Sequence, residues 1–445
     1  MHQFATEERR VLDEVSAWVA GRLTEPGRLE PGSPVELPGL TCEGIGIDAA
    51  WSLLRDTLLP TTFPADHPRY LAFVGGAPTA ASVIADAALS AAAVYGGSEL
   101  EAGAVVAAER TALRWLCDAV GYPAAAHGTF VSGGTVANLS ALVTARHART
   151  EPGAAVPHVI VAGAAAHSSI RSAAAIMGCT VRTAGSPDLP LRADELRTVL
   201  ADLDPATVVA VVASAGATNT GAVDDLDDIA ALCAEHGTWL HVDAAYGGAA
   251  VLVPAWRSTF TGLDRADSIT IDPHKWLFTP FDCGAVLYRD PTLARAAHRQ
   301  HADYLEPVND EGVDNPADYA IHLTRRARGL PVWASLMANG TEAYVRAIEQ
   351  CLATADHAAK RIEDSAHLEL VGERHLSVVL FRRRGWTLDR YAAWSERARR
   401  SGLALVTPTS FAGEPVLRLC FVNPLTSTDD VDLVLDSLES DAAAQ

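Results

Sequence analysis

The chain has 445 residues, 49% of them hydrophobic and 20% charged, with a formal net charge of −20. That balance suits a soluble globular enzyme with enough apolar surface for two or more domains, and excludes a disordered or fibrous chain. The acidic excess argues against nucleic acid or an anionic membrane as partner, since both demand a basic footprint.

In chain order, the first ~20 residues read as a helix with Val11, Leu12, Val15, Trp18 and Val19 on one face. The N-terminus lacks the cationic start and apolar run of a leader, which points to a cytoplasmic protein. A Pro/Gly-rich connection runs from Glu25 to Gly39. Residues 1–70 hold too little apolar surface to fold alone and are expected to pack as an arm on another domain or subunit. The Ala-rich stretch 80–94 contains Asp86 and is shorter than a bilayer requires.

From about residue 80, helices alternate with β-rich runs at 158–161, 207–213, 238–242, 268–271 and 285–288. Several runs are apolar on both faces, as buried parallel strands are. Residues 224–237 crowd acids into a first turn and end on Gly237, the punctuation of a helix. Strand–helix–strand repetition predicts an open α/β sheet with right-handed crossovers.

Residues 306–318 are polar and rich in turn formers, so a loop is expected. A helix near 341–364 follows, then strands at 376–382, 403–407 and 415–422, a final helix opened by Ser427, and a low-complexity Ala-rich tip. The division expected is a large domain over 71–310, then a mobile loop and a small α/β domain over 311–445. Seven cysteines without CxxC spacing read as buried small hydrophobes in a reducing compartment.

Four short motifs carry chemistry. Only two lysines occur among the 35 lysines and arginines, and one is Lys275 in Asp272-Pro-His-Lys-Trp276. Lysine can shed its proton and condense with a carbonyl, whereas arginine cannot, so pyridoxal phosphate (PLP) is the candidate partner. Ser132-Gly-Gly-Thr135 precedes an Ala/Leu-rich helix and could present N–H groups and hydroxyls to a phosphate. Asp243, in His241-Val-Asp-Ala-Ala-Tyr246, ends an apolar strand, where a buried acid needs a partner such as a protonated pyridine nitrogen. His167, in Ala166-His-Ser-Ser169, could stack on an aromatic cofactor. Taken singly, each has an ordinary reading: a turn and cap, an ion pair with arginine, a structural histidine.

Together, in this order, and with 32 residues from Asp243 to Lys275, the set resembles the group II PLP-dependent decarboxylases, the family of aromatic-amino-acid, histidine and glutamate decarboxylases. The resemblance runs from about residue 66 through Arg325-Arg-Ala-Arg328 and weakens toward the C-terminus. It implies fold type I of PLP enzymes (aspartate aminotransferase-like), with a mainly parallel central sheet, a smaller C-terminal α/β domain, and a homodimer whose active sites lie at the subunit interface. It also implies roles: Lys275 for the internal aldimine, Asp243 for the ring nitrogen and His167 for the ring face. Ser132, Gly133, Gly134 and Thr135 would take the phosphate, with His274 nearby, and Thr218 and Ala245 would line the cofactor. Many relatives carry asparagine where this chain has Asp272; a carboxylate would repel a phosphate, so Asp272 is expected to point away.

The activity implied is α-decarboxylation of an L-amino acid through an external aldimine and a quinonoid, releasing CO₂ and an amine. Tyr319 is the nearest match to the family's loop proton donor, with His322 and Tyr304 as lesser candidates; Tyr319 could equally be a packing residue. The alternatives are a decarboxylating aldehyde synthase that uses O₂ and a transaminase, in which Arg418 would hold the α-carboxylate. Gly75 and Gly76, small where aromatic-specific relatives carry bulk, are expected to reshape the substrate pocket.

Overall fold

Every residue of Val208-Val-Ala-Val-Val-Ala-Ser214 is small or apolar, and every one is buried in the computed structural model of the chain, as an interior strand of a sheet covered on both faces requires. The structure describes residues 4–27, 29, 35–40, 42–150, 153, 155–308 and 313–441. The large sheet comprises β1 (His127–Val131), β2 (Val159–Gly163), β3 (Thr180–Ala184), β4 (Val208–Ser214), β5 (Leu240–Asp243), β6 (Ser268–Ile271) and β7 (Gly284–Tyr288). Its order is β1-β7-β6-β5-β4-β2-β3. Strand β7 runs antiparallel to both neighbours, and the other pairings are parallel.

Helices follow the strand ends and cover the sheet. The one between β4 and β5 spans Leu226–Glu235 with Asp227 and Asp228 in its first turn, where acids complement the helix dipole. A second, antiparallel sheet has the order β10-β11-β9-β8, formed by β8 (Leu368–Leu370), β9 (Val378–Arg383), β10 (Thr407–Phe411) and β11 (Glu414–Cys420). It shares a core with helices Thr341–Glu363 and Thr428–Ser440 through Ile362, Phe381, Val434 and Leu435. The last helix is opened by a capping box, with Asp430 N–H donating to Ser427 Oγ (3.1 Å) and Ser427 N–H to the Asp430 carboxylate (3.0 Å).

Some sequence expectations give way. Residues 403–406 are not in the small sheet; Leu405 makes an isolated parallel bridge to Tyr70, and the edge strand β10 begins at Thr407. An edge tolerates its Pro408, which an interior strand would not. Leu12 is 51% exposed, so the first helix (Thr6–Thr24) buries a narrower face centred on Val11, with Trp18 edge-on to Trp51. Cys42 is exposed and Cys179 partly so, while the other five cysteines are buried and none is disulfide-bonded. Arg69–Leu71 is backbone-bonded to Leu405 and to β11, through Leu71 N–H to Leu405 O and Cys420 N–H to Leu71 O, both 3.0 Å. Parts of the 25–39 connection and of the 306–318 loop, and the Ala-rich tip, lie outside the described residues. Among those described, no helix is long and apolar enough to cross a membrane.

Candidate active site

The carboxyl ends of β1, β2, β4, β5 and β6 share one rim, the usual place for a ligand in an open α/β sheet. A cavity of about 440 Å³ opens there. Its wall includes Ser132, Gly133, Gly134 and Thr135 after β1, His167 after β2 and Thr218 after β4. Asp243 and Ala245 at β5, and His274 and Lys275 after β6, complete the predicted set.

Each of these side chains is held for a physical reason. Ser132-Gly-Gly-Thr135 turns directly into helix Gly134–Ala148, whose first N–H groups have no intrahelical acceptors. A Cβ on Gly133 would lie 3.2 Å from His274 Cε1, and one on Gly134 would lie 2.9 Å from Asp272 Oδ2, so glycine keeps this cradle open. His167 caps helix Ser168–Met177, with Nδ1 accepting from Ser169 N–H (3.2 Å) and its ring exposed at the cavity. The neighbouring His274 is held by Nδ1 against Cys283 O at 2.6 Å, and burial lowers its pKa.

Asp243 is buried and accepts from Asn138 Nδ2 (2.8 Å) and Ala245 N–H (3.1 Å). It has no ion-pair partner within 4 Å among the described residues. Lys275 Nζ lies 3.0 Å from Asp272 Oδ2. Burial would push the Lys275 ammonium down, but the carboxylates of Asp272 and Asp243 outweigh it and hold Lys275 above its ordinary value.

Asp272 therefore faces the cavity, contrary to the expectation that it points away. It is 2% exposed, and its second oxygen, Oδ1, has no hydrogen-bond partner among the described residues. Lys275 must lose a proton before it can attack an aldehyde, and Asp272 both resists that loss and repels a phosphate. Asp272→Asn is expected to speed PLP uptake by the apoprotein several-fold near pH 7.5, because it removes a carboxylate that holds Lys275 above its ordinary value. The rising limb of the uptake rate should also move to lower pH. Stopped-flow absorbance checks this, and an unchanged or slower uptake would contradict it.

Tyr319 is not brought to the cavity of its own chain. It is 3% exposed, packs edge-on to His127 at 5.1 Å and donates its hydroxyl to Asp314 Oδ1 at 2.9 Å. Neither lesser candidate lines the cavity: Tyr304 is 73% exposed, and His322 is pushed down to about 3 by burial and by Arg325 and Arg328. Arg418 is also elsewhere, with Nη1 donating to Phe73 O at 2.8 Å. Gly76 is small because a Cβ there would fall 1.8 Å from Lys275 O, a backbone contact that owes nothing to pocket width.

Sequence reasoning passed over Asn138 and Asp282, which also line the cavity, and set Asp272 aside. Asn138 was legible, since it lies one helical turn beyond Thr135 and hence on the same face. Asp282, paired with Arg328 at 2.9 Å, had no such signal.

The cavity suits PLP on its own evidence: an amine, a buried carboxylate lacking a close counter-cation, and a glycine cradle at a helix N-terminus. Residues 47–384 match the pyridoxal-dependent decarboxylase conserved domain. The chain is 32% identical over 383 residues to an aromatic-L-amino-acid decarboxylase of Bacillus atrophaeus, covering 82% of this chain and 79% of the relative. It is 34% identical over 412 residues to an L-2,4-diaminobutyrate decarboxylase of Rhizobium meliloti, covering 89% and 82%. Among solved structures, Oryza sativa TDC with PLP and tryptamine shares the fold at a TM-score of 0.89 and 24% identity, over 99% of each chain. Sequence, fold and cavity agree that the chain belongs to the pyridoxal-dependent decarboxylase family and is a PLP-dependent amino-acid carboxy-lyase of fold type I.

Proposed function

We propose that this cavity removes the α-carboxylate of an L-amino acid, releasing CO₂ and the corresponding amine. The observation that carries the reading is Asp243, a buried carboxylate lacking an ion-pair partner within 4 Å among the described residues, on the strand beside the one that delivers Lys275. Bound PLP supplies the electron sink for the pair left on Cα when CO₂ departs.

The chain's residues do the rest. Lys275 would hold the cofactor through its Nζ, the one amine among the described residues of the cavity wall, and would give up that place to the substrate amine. Asp243 keeps the ring nitrogen protonated, and His167 covers one face of the ring. Ser132, Gly133, Gly134 and Thr135 hold the phosphate with His274 nearby, while Thr218 and Ala245 border the ring. No arginine is among the described residues lining the cavity, which favours decarboxylation over transamination.

In this reading the protein is a homodimer, with residues 1–70 packed at the interface, 71–310 as the cofactor domain, and 311–445 as the loop and small domain. Tyr319 then serves a partner protomer's cavity as the proton donor to Cα, for which its ring must leave its buried seat against His127 and its hydroxyl must leave Asp314. Tyr319→Phe should lower kcat about 10²-fold with PLP affinity unchanged, the scale of a lost general acid. Equal kcat with a lower Tm would show a packing residue instead.

The whole reading is tested by incubating the PLP-loaded protein with aromatic amino acids, 2,4-diaminobutyrate and the remaining proteinogenic set while CO₂, ammonia and peroxide are assayed. CO₂ without ammonia or peroxide is expected from at least one substrate. CO₂ with both by-products would mean an aldehyde synthase, and no CO₂ from any substrate would refute the proposal.

A further inference from the structure

A line of buried hydrogen bonds runs behind the cavity. Trp239 Nε1 meets Ser268 Oγ (2.9 Å), which meets His241 Nδ1 (2.9 Å), and His241 Nε2 meets Asn138 Oδ1 (3.0 Å). Asn138 Nδ2 then contacts both Asp243 Oδ2 (2.8 Å) and Ser169 Oγ (2.9 Å), and Ser169 Oγ reaches His167 Nδ1 (2.9 Å). His241 and Ser268 are fully buried, and Asn138 and Ser169 nearly so.

The chemistry of the two ends fixes every proton between them. An indole N–H only donates and an ionised carboxylate only accepts. Asn138 must therefore turn its NH₂ to Asp243, which leaves its oxygen to accept from His241 Nε2–H. Burial disfavours a charged His241, so its Nδ1 is bare and accepts from Ser268 O–H, whose oxygen in turn accepts from Trp239. The second Asn138 N–H goes to Ser169 Oγ, freeing that hydroxyl to donate to His167 Nδ1. Ser169 N–H donates to the same nitrogen at 3.2 Å, so the His167 proton lies on Nε2.

We propose that Asn138 is the positioning residue of the site: one amide orients Asp243 as an acceptor-only carboxylate and, through Ser169, fixes His167 as the Nε2–H tautomer. The proposal rests on the reading of the cavity as a PLP site for its purpose, but its proton pattern belongs to the protein alone. A truncation at Asn138 would release both groups at once, although they stand on different strand ends.

Asn138→Asp and Asn138→Leu test it, read by ¹⁵N spectra of the histidine-labelled apoprotein, with His167 and His241 assigned by signal loss in His167→Gln and His241→Gln. At a pH where each ring holds a single proton, the native apoprotein should carry it on Nε2 of both; a lone proton on Nδ1 of either overturns the proposal. In Asn138→Leu, which removes the acceptor, His241 should lose that single tautomer, and in both variants the Kd for PLP should rise at least about tenfold, the scale of a lost bond to a charged group. Asn138→Asp is isosteric and still accepts from His241 but cannot donate to Asp243, so a packing role would leave its PLP affinity unchanged, and that result also overturns the proposal. Native protein that takes up no PLP would sink the functional reading, and the apoprotein tautomers would still decide this one.

Discussion

Lys275→Ala should abolish turnover, with a fall of at least about 10³-fold in kcat, and remove the visible absorption of bound cofactor. Two properties of the residue could be responsible, its charge beside Asp272 and its ability to become a free amine, and Lys275→Arg separates them. Arginine would keep a cation next to Asp272 but cannot deprotonate, so it too should be inactive. Its Tm should stay closer to the native value than that of Lys275→Ala, which leaves Asp272 buried without its close partner. Visible spectra, CO₂ assays and thermal melts read all of this. Substantial turnover in either variant would contradict the assignment.

Gly76→Ala should be nearly as damaging, although Gly76 carries no chemistry. The added Cβ would lie 1.8 Å from Lys275 O, 2.8 Å from Lys275 C and 3.1 Å from His274 O. Backbone cannot swing aside as a flexible side chain can, so the lysine loop itself must move. Overpacking of this kind costs about 1–3 kcal/mol. A displacement of about 1 Å at a catalytic group can lower the rate 10²-fold, which is the fall expected in kcat/KM. Gly75→Ala is the control: its Cβ would meet the Tyr70 ring at 2.9 Å, a side chain that can turn aside, and Ala65 Cβ at the milder distance of 3.2 Å. That variant should stay within a few-fold of native. If the glycine pair served to widen the substrate pocket, both variants would instead change substrate preference to a similar degree.

Much of the site was legible because its chemistry is concentrated where strands end. Asp243 was conspicuous as an acid closing an apolar run, and Lys275 as one of two lysines. Strands β2, β4 and β7 declared themselves by runs of apolar residues, as buried strands do. The edge strand β3, Thr180-Val-Arg-Thr-Ala184, did not, because an edge strand half in water needs no such run. Strand β1 hid behind His127, Gly128 and Thr129. In the small sheet, Leu403-Ala-Leu-Val406 looked more like a strand than Thr407–Phe411, yet its apolar side chains serve the core while the hydrogen-bonded edge is polar.

What sequence could not reveal was orientation. Nothing in Asp272-Pro-His-Lys275 says that the aspartate turns back to the lysine, since that depends on the loop's closure against Gly134 and Gly284. The same holds for Gly76, whose smallness reads as space in a sequence and is in fact contact. Tyr319 shows the limit of motif matching, because its ring and hydroxyl are engaged by His127 and Asp314 of its own chain.

The central claim is that PLP is carried by Lys275 within this cavity, and the chain offers an internal control. Its other lysine, Lys360, lies on the helix Thr341–Glu363, has a side chain 76% exposed and pairs with Asp364. Borohydride reduction of the PLP-loaded protein, followed by peptide mass spectrometry, reads the attachment directly. The pyridoxyl label should be found on the peptide containing Lys275 at close to one per chain, with Lys360 unlabelled. A label on Lys360 alone, or a native protein that retains no reducible cofactor, would contradict the account.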